Sequence, residues 1–182
     1  MCRLLPMLVV AAALAGPAAA AAEAPWPTYD HPIVVDGTHI AREQLRHWER
    51  VAGRDDVARE QATIMLIEAR WIRLEARRRG VRVTREQVRR QFRRHKRDAF
   101  PSHRAFKRWL RSSGQTRGDL LFRVRTDLTS DRLRAYATRG ATTEEEEQAQ
   151  LDAFVQEFRD HWLPRTRCSR MYFVETHCAP PA

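Results

Sequence analysis

Histidine, cysteine and paired carboxylates are the side chains through which a chain of this kind would do chemistry, and here they are scattered. The seven histidines stand at positions 31, 39, 47, 95, 103, 161 and 177. No two have the His-x-x-x-His spacing that puts both imidazoles on one helix face for a metal. Asp55 and Asp56 are adjacent carboxylates, but they immediately precede a long apolar-periodic run. That is the position of a helix cap, not of an acid–base pair. His47 and His161 each neighbour a tryptophan on a helical stretch and read as surface or boundary residues. There is no Gly-rich phosphate loop and no nucleophile elbow. The expectation is therefore a non-catalytic binding scaffold with no cofactor and no metal.

The cysteines point to a compartment. Residues 1–21 have the form of a cleavable secretory signal: Arg3 supplies the positive n-region, Leu4 to Leu14 the apolar run, and Gly16, Pro17 and the alanines that follow the small-residue site. The apolar run is shorter than the roughly 20 residues that span a bilayer, and no later stretch is apolar enough to do so. Cys2 leaves with the signal, so Cys168 and Cys178 remain as an even pair in an exported chain, which reads as a disulfide closing a C-terminal loop. The rival assignment, a metal held by Cys168, His177 and Cys178, suffers from the adjacency of two of its ligands.

Charge is lopsided. The full chain has 33 Lys and Arg against 23 Asp and Glu. Losing the signal removes only Arg3, leaving 32 against 23 and a net charge of +9. Lysine occurs only at 96 and 107. A surface of this sign attracts anionic partners such as nucleic acid or acidic envelope polymers.

The elements that must position these residues are mostly helices. Residues 22–31 read as a flexible tether. Ile33-Val34-Val35 forms a short strand, Asp36-Gly37 a tight turn, and Thr38 to Ile40 a second extended piece. A first helix over about 41–52 carries Leu45, Trp48 and Val51. A second, over about 56–79, is apolar nearly all round at Ile64 to Ile67, so neighbours must cover it on several sides. Thr84 with Gln87 forms a capping box for a third helix, thinly apolar at Val88 and Phe92 and densely basic elsewhere. Pro101-Ser102 opens a fourth helix with Phe106, Trp109 and Leu110, ended by Gly114. Thr116 with Asp119 opens a fifth that runs towards Gly140. Thr143 and four glutamates open a sixth, where acidic residues complement the helix dipole. Its stripe of Leu151, Phe154, Val155, Phe158 and Trp162 is the cleanest in the chain. Met171 to Val174 is expected as a short strand in the tail. The fold class is mainly α: a single domain of about six helices with a short N-terminal hairpin.

The order of these motifs resembles the peptide-binding chaperone domain of SurA-like and PrsA-like extracytoplasmic foldases. Val34-Val35-Asp36-Gly37-Thr38-His39-Ile40 resembles the opening of that family. Glu75 to Thr84 resembles its "E-A-x-x-x-G-[VI]-x-V-[ST]" passage, and Glu86 to Phe92 its "E-x-V-x-x-x-F". Phe106 to Val124 resembles "F-x-x-x-L-x-x-S-G-x-T-x-x-D-L…V". The resemblance spans residues 32–139, followed by a linker and returning helix over 140–163 and a disulfide-closed tail over 164–182. Many family members insert a parvulin prolyl isomerase before that last helix. Only about 141–146 lies there in this chain, so the resemblance implies the chaperone domain without the isomerase. It implies unfolded or nascent exported polypeptides as partners. Phe92, Phe100, Phe106 and Trp109 are the candidate client-binding residues, because their helices have the thinnest apolar support. The alternative is an electrostatic binder of nucleic acid or anionic envelope polymer through the arginine-rich third helix.

Overall fold

A computed structural model describes residues 26–53 and 55–180 of the protein. The expected signal segment and the first part of the tether lie outside the described residues. The order of elements is β1 (Ile33–Val35), β2 (Thr38–Ile40), α1 (Arg42–Ala52), α2 (Asp56–Arg78), α3 (Arg85–Ala99), α4 (His103–Ser113), α5 (Arg117–Ala137), α6 (Glu144–Trp162) and β3 (Thr166–Cys168).

The Asp36-Gly37 turn closes β1 on β2. Both residues adopt positive φ, 46° and 71°, as the mirror-image hairpin turn requires. Ile33 pairs with Ile40 and Val35 with Thr38. On its other edge β1 pairs antiparallel with β3, Ile33 opposite Cys168 and Val35 opposite Thr166. β1 is therefore the central strand, order β2-β1-β3, and its three residues are buried on both faces. That explains three consecutive β-branched residues where a one-sided strand would alternate. The tail strand is thus Thr166–Cys168. The expected strand at 171–174 is corrected: Arg170–Tyr172 forms a 3-10 turn, because β3 has already taken the free edge of β1.

Five of the six helices start at a side chain that caps their first N–H groups; α1 starts at Ala41 without such a cap. Asp55 accepts from Ala58, Thr84 and Gln87 form a reciprocal capping box, Ser102 accepts from Ala105, Thr116 and Asp119 form a second box, and Thr143 accepts from Glu146. Gly114 ends α4 at φ 66°, a left-handed turn that a Cβ would strain.

Two apolar clusters result. The larger joins the sheet to α1, α2, the end of α6 and the tail through Ile33, Leu45, Trp48, Ile67, Trp71 and Trp162, among others. The smaller joins α3, α4 and α5 through Val88, Phe92, Phe106 and Val124. Trp71, Thr166 and Trp162 pair their polar groups inside the main core. The Trp71 indole N–H donates to the Thr166 hydroxyl at 2.7 Å, and that hydroxyl donates to the Trp162 carbonyl at 2.8 Å.

Glu75 is fully buried and joins α2 to α6. It accepts from Arg78 at 2.9 Å, from Arg79 at 2.8 Å and from the Trp162 indole at 3.1 Å. Glu157 on α6 closes the cluster by accepting from both arginines. Burial pushes the Glu75 carboxyl upward, but the donors from Arg78, Arg79 and Trp162 outweigh it and hold the group below the usual range. The Arg79 guanidinium also lies 5.6 Å from the ring centres of Tyr136 and Phe154, bringing α5 into the same contact.

Cys168 and Cys178 form a disulfide, a bond that fits an oxidising compartment. Residues 26–31 carry no helix or strand. Arg42 nevertheless holds them: its backbone N–H donates to the Asp30 carbonyl at 2.8 Å, and its guanidinium lies 3.8 Å from the Tyr29 ring centre. Among the described residues, no helix is long and apolar enough to cross a membrane.

Candidate peptide-binding clefts

The four aromatic residues singled out by their thin support are brought together by one turn. Phe100 ends α3 in extended conformation, Pro101 cannot continue that helix, and Ser102 caps α4. The reversal sets α4 beside α3. Phe92 meets Phe106 edge-on at 6.1 Å, Phe100 meets Phe106 edge-on at 5.2 Å, and Phe100 lies 5.4 Å from Trp109. These spacings are those of attractive aromatic pairs.

Their exposures differ. Phe92 and Phe106 are buried and form the floor. Phe100 and Trp109 are half-buried and form the walls. With Leu120 and Val124 of α5 they line a cleft of about 320 Å³. Cations stand at its edge: the Lys96 ammonium lies 4.9 Å from the Phe106 ring centre, and the Arg117 guanidinium 5.5 Å from that of Phe92.

A second apolar groove, of about 350 Å³, runs between α2, α5 and α6. Trp71, Ile72, Leu133, Leu151, Phe154 and Phe158 line it. The disulfide-bonded tail closes one end with His177, which stacks on Trp71 at 5.3 Å and 20° and lies 3.3 Å from a Glu68 carboxylate oxygen. Sequence reasoning missed this groove. The α6 stripe was legible and implied a core helix, but only Trp162 of that stripe is buried and Val155 is 46% exposed. The available signal was the adjacency of Phe154 and Val155, which widens the stripe beyond what one neighbouring helix covers.

The remaining chemically capable side chains take structural positions. His47 lies 2.9 Å from Asp119 and links α1 to the start of α5. Burial raises Asp119, yet hydrogen bonds from Thr116 and the nearby His47 imidazole bring it below its usual range. His161 packs edge-on to Trp162 at 4.6 Å; burial first, then Arg165 and Arg78, hold it below the usual imidazole range. Cys168 and Cys178 are bonded to each other, which leaves no thiolate for a metal. Among the described residues, no group of three His, Cys, Asp or Glu side chains is placed to hold a metal ion. What the arrangement can do is bind: two open apolar clefts, each bordered by cations, on a helical frame.

No protein-family model matches the chain, and no curated protein and no solved structure matches it.

Proposed function

We propose that the protein is an extracytoplasmic chaperone that holds non-native segments of exported polypeptides without isomerising them. The observation that carries this reading is the cleft between α3, α4 and α5. There Phe100 and Trp109 stand half-exposed over the buried rings of Phe92 and Phe106. Rigid aromatic walls give sequence-tolerant contact area at low entropic cost, and a second apolar groove lies along α6. The motif order across residues 32–139 supports the same reading through its resemblance to SurA-like foldases. Residues 138–143 join α5 to α6, far too short a connection to hold an isomerase domain of the usual size. The disulfide and the signal-like N-terminus agree with action outside the cytoplasm.

The deciding experiment is suppression of aggregation of a chemically unfolded test protein, with salt raised to about 0.5 M, where exposed charges are screened within a few ångströms. Suppression that persists at high salt supports apolar holding. Suppression that is absent, or that disappears with salt, overturns this reading in favour of an electrostatic binder.

A further inference from the structure

The excess positive charge of the chain is concentrated on one pair of helices. Residues 85–113, which contain α3 and α4, hold eleven of the 33 basic side chains and only two of the 23 acidic ones, Glu86 and Asp98. Nine of the ten excess charges therefore lie on these two helices, and the rest of the chain is close to neutral. Within the pair, the one salt bridge among the described residues is Arg90 to Glu86 at 4.0 Å. Arg93, Arg94, Arg97, Arg104, Arg108 and Arg111 are exposed, with no carboxylate in salt-bridge range among the described residues. A coding bias towards arginine would raise the count along the whole chain; it would not strip the carboxylates from two helices alone.

The turn between these helices separates two hollows that share a wall. On one side is the aromatic cleft. On the other is a hollow of about 550 Å³ walled by Arg93, Arg97, Pro101 and His103. Phe100 and Lys96 border both. His103 senses the field in the second hollow: Lys96 first, then burial, then Lys107 hold its imidazole below the usual range. Its Nδ1 lies 3.0 Å from the Lys96 ammonium, which places the imidazole directly against the cations of this hollow.

We infer that the α3–α4 face selects polypeptide segments in which an apolar side chain is flanked by acidic ones. The apolar side chain enters the aromatic cleft and the flanking carboxylates lie in the hollow of Arg93, Lys96 and Arg97. The inference rests on the reading of the protein as a polypeptide binder and adds the class of client. Alternate side chains of an extended segment are about 7 Å apart, which suits two adjacent hollows of opposite character. Arginine is also the cation best shaped to take a carboxylate with two hydrogen bonds. A nucleic acid would use the arginines through its phosphates but has no counterpart to the apolar side chain that the aromatic cleft accommodates, and an oligonucleotide probe separates the two.

The test uses the purified protein and three short fluorescent peptides with one apolar centre, flanked by aspartate and glutamate, by serine and glutamine, or by lysine. A single-stranded oligonucleotide matched in charge to the acidic peptide is the fourth probe. The expected result at low salt is affinity for the acidic peptide about tenfold or more above that for the neutral one, converging as salt approaches about 0.5 M. Arg93→Glu combined with Arg97→Glu should abolish the preference, whereas Arg46→Glu combined with Arg50→Glu, on the exposed side of α1, should leave it intact. Circular dichroism melts check that both pairs fold. Equal affinity for acidic and neutral peptides at low salt would overturn the acidic selectivity while leaving polypeptide binding in place. Failure of all three peptides to bind would remove the chaperone reading itself. An oligonucleotide bound as tightly as the acidic peptide, with no loss in Trp109→Ser, would reassign the face to anionic polymers.

Discussion

Replacing Glu75 by glutamine should be among the most destabilising single changes in the protein. The side chain is fully buried and takes hydrogen bonds from two guanidinium groups and one indole. Glutamine keeps the shape but turns half of the carboxylate into a donor facing donors. Removing one partner of a fully buried ion pair costs about 3–5 kcal/mol. Here the stranded arginines are 36% and 21% exposed and retain Glu157, so solvent and that second carboxylate recover part of the loss. The expected cost is about 2–4 kcal/mol, with the Trp162 N–H left unpaired inside the core as one component. For a chain of this length that corresponds to a fall in Tm on the order of 5–15 °C. The control is Glu157→Gln, because Glu157 is 53% exposed and an ion pair at such a site contributes about 1 kcal/mol or less. Urea unfolding followed by tryptophan fluorescence gives both values under one condition. If Glu75→Gln costs no more than Glu157→Gln, the carboxylate is not the tie between α2 and α6 and the reasoning fails.

The same cluster sets the response to acid. Glu157 is held down to about 2 by hydrogen bonds from Arg79 and then Arg78, and Glu75 and Asp119 are also lowered. The unfolded carboxylates, with ordinary values near 4, take up protons first, so the stabilisation is complete above about pH 4.5 and is lost as pH falls towards 2. A urea midpoint that stays constant from pH 6 to pH 3 would contradict this. Reducing the Cys168–Cys178 bond, or replacing both residues by serine, should cost about 2–3 kcal/mol from loop entropy; thermal melts with and without reductant measure it, and an unchanged Tm would argue against the bond in solution. In the aromatic cleft, Phe92→Ser should cost about 3–5 kcal/mol because its ring is buried. Trp109→Ser should cost clearly less, yet should cut aggregation suppression at least as much. Parallel losses in both assays for both variants would show that Trp109 serves packing alone.

Much of the fold was legible because its signals are local. The Asp36-Gly37 hairpin, the two capping boxes at Thr84 and Thr116, the Asp55 cap and the Gly114 stop each depend on residues within four positions of one another, and all stand in the structure. The grouping of Phe92, Phe100, Phe106 and Trp109 was legible for the same reason, since one tight turn joins their helices. Whether each ring forms a floor or a wall was not, because that depends on how closely α5 approaches. The strand at 166–168 was placed too late in the tail, since propensity can mark an extended segment but cannot say which one reaches the free edge of β1. In the sequence Glu75 stood only as the first residue of a passage resembling that of the foldases, with no contact assigned to it. It became a buried tie only when α6 returned to set Trp162 and Glu157 against it. Sequence thus determined where helices begin and end and where charge is concentrated, because hydrogen bonds and charges along four residues fix those. The sheet partner, the buried carboxylate and the groove along α6 were decided by chain closure over more than seventy residues, as between Glu75 and Trp162, where contact depends on the packing of every element between.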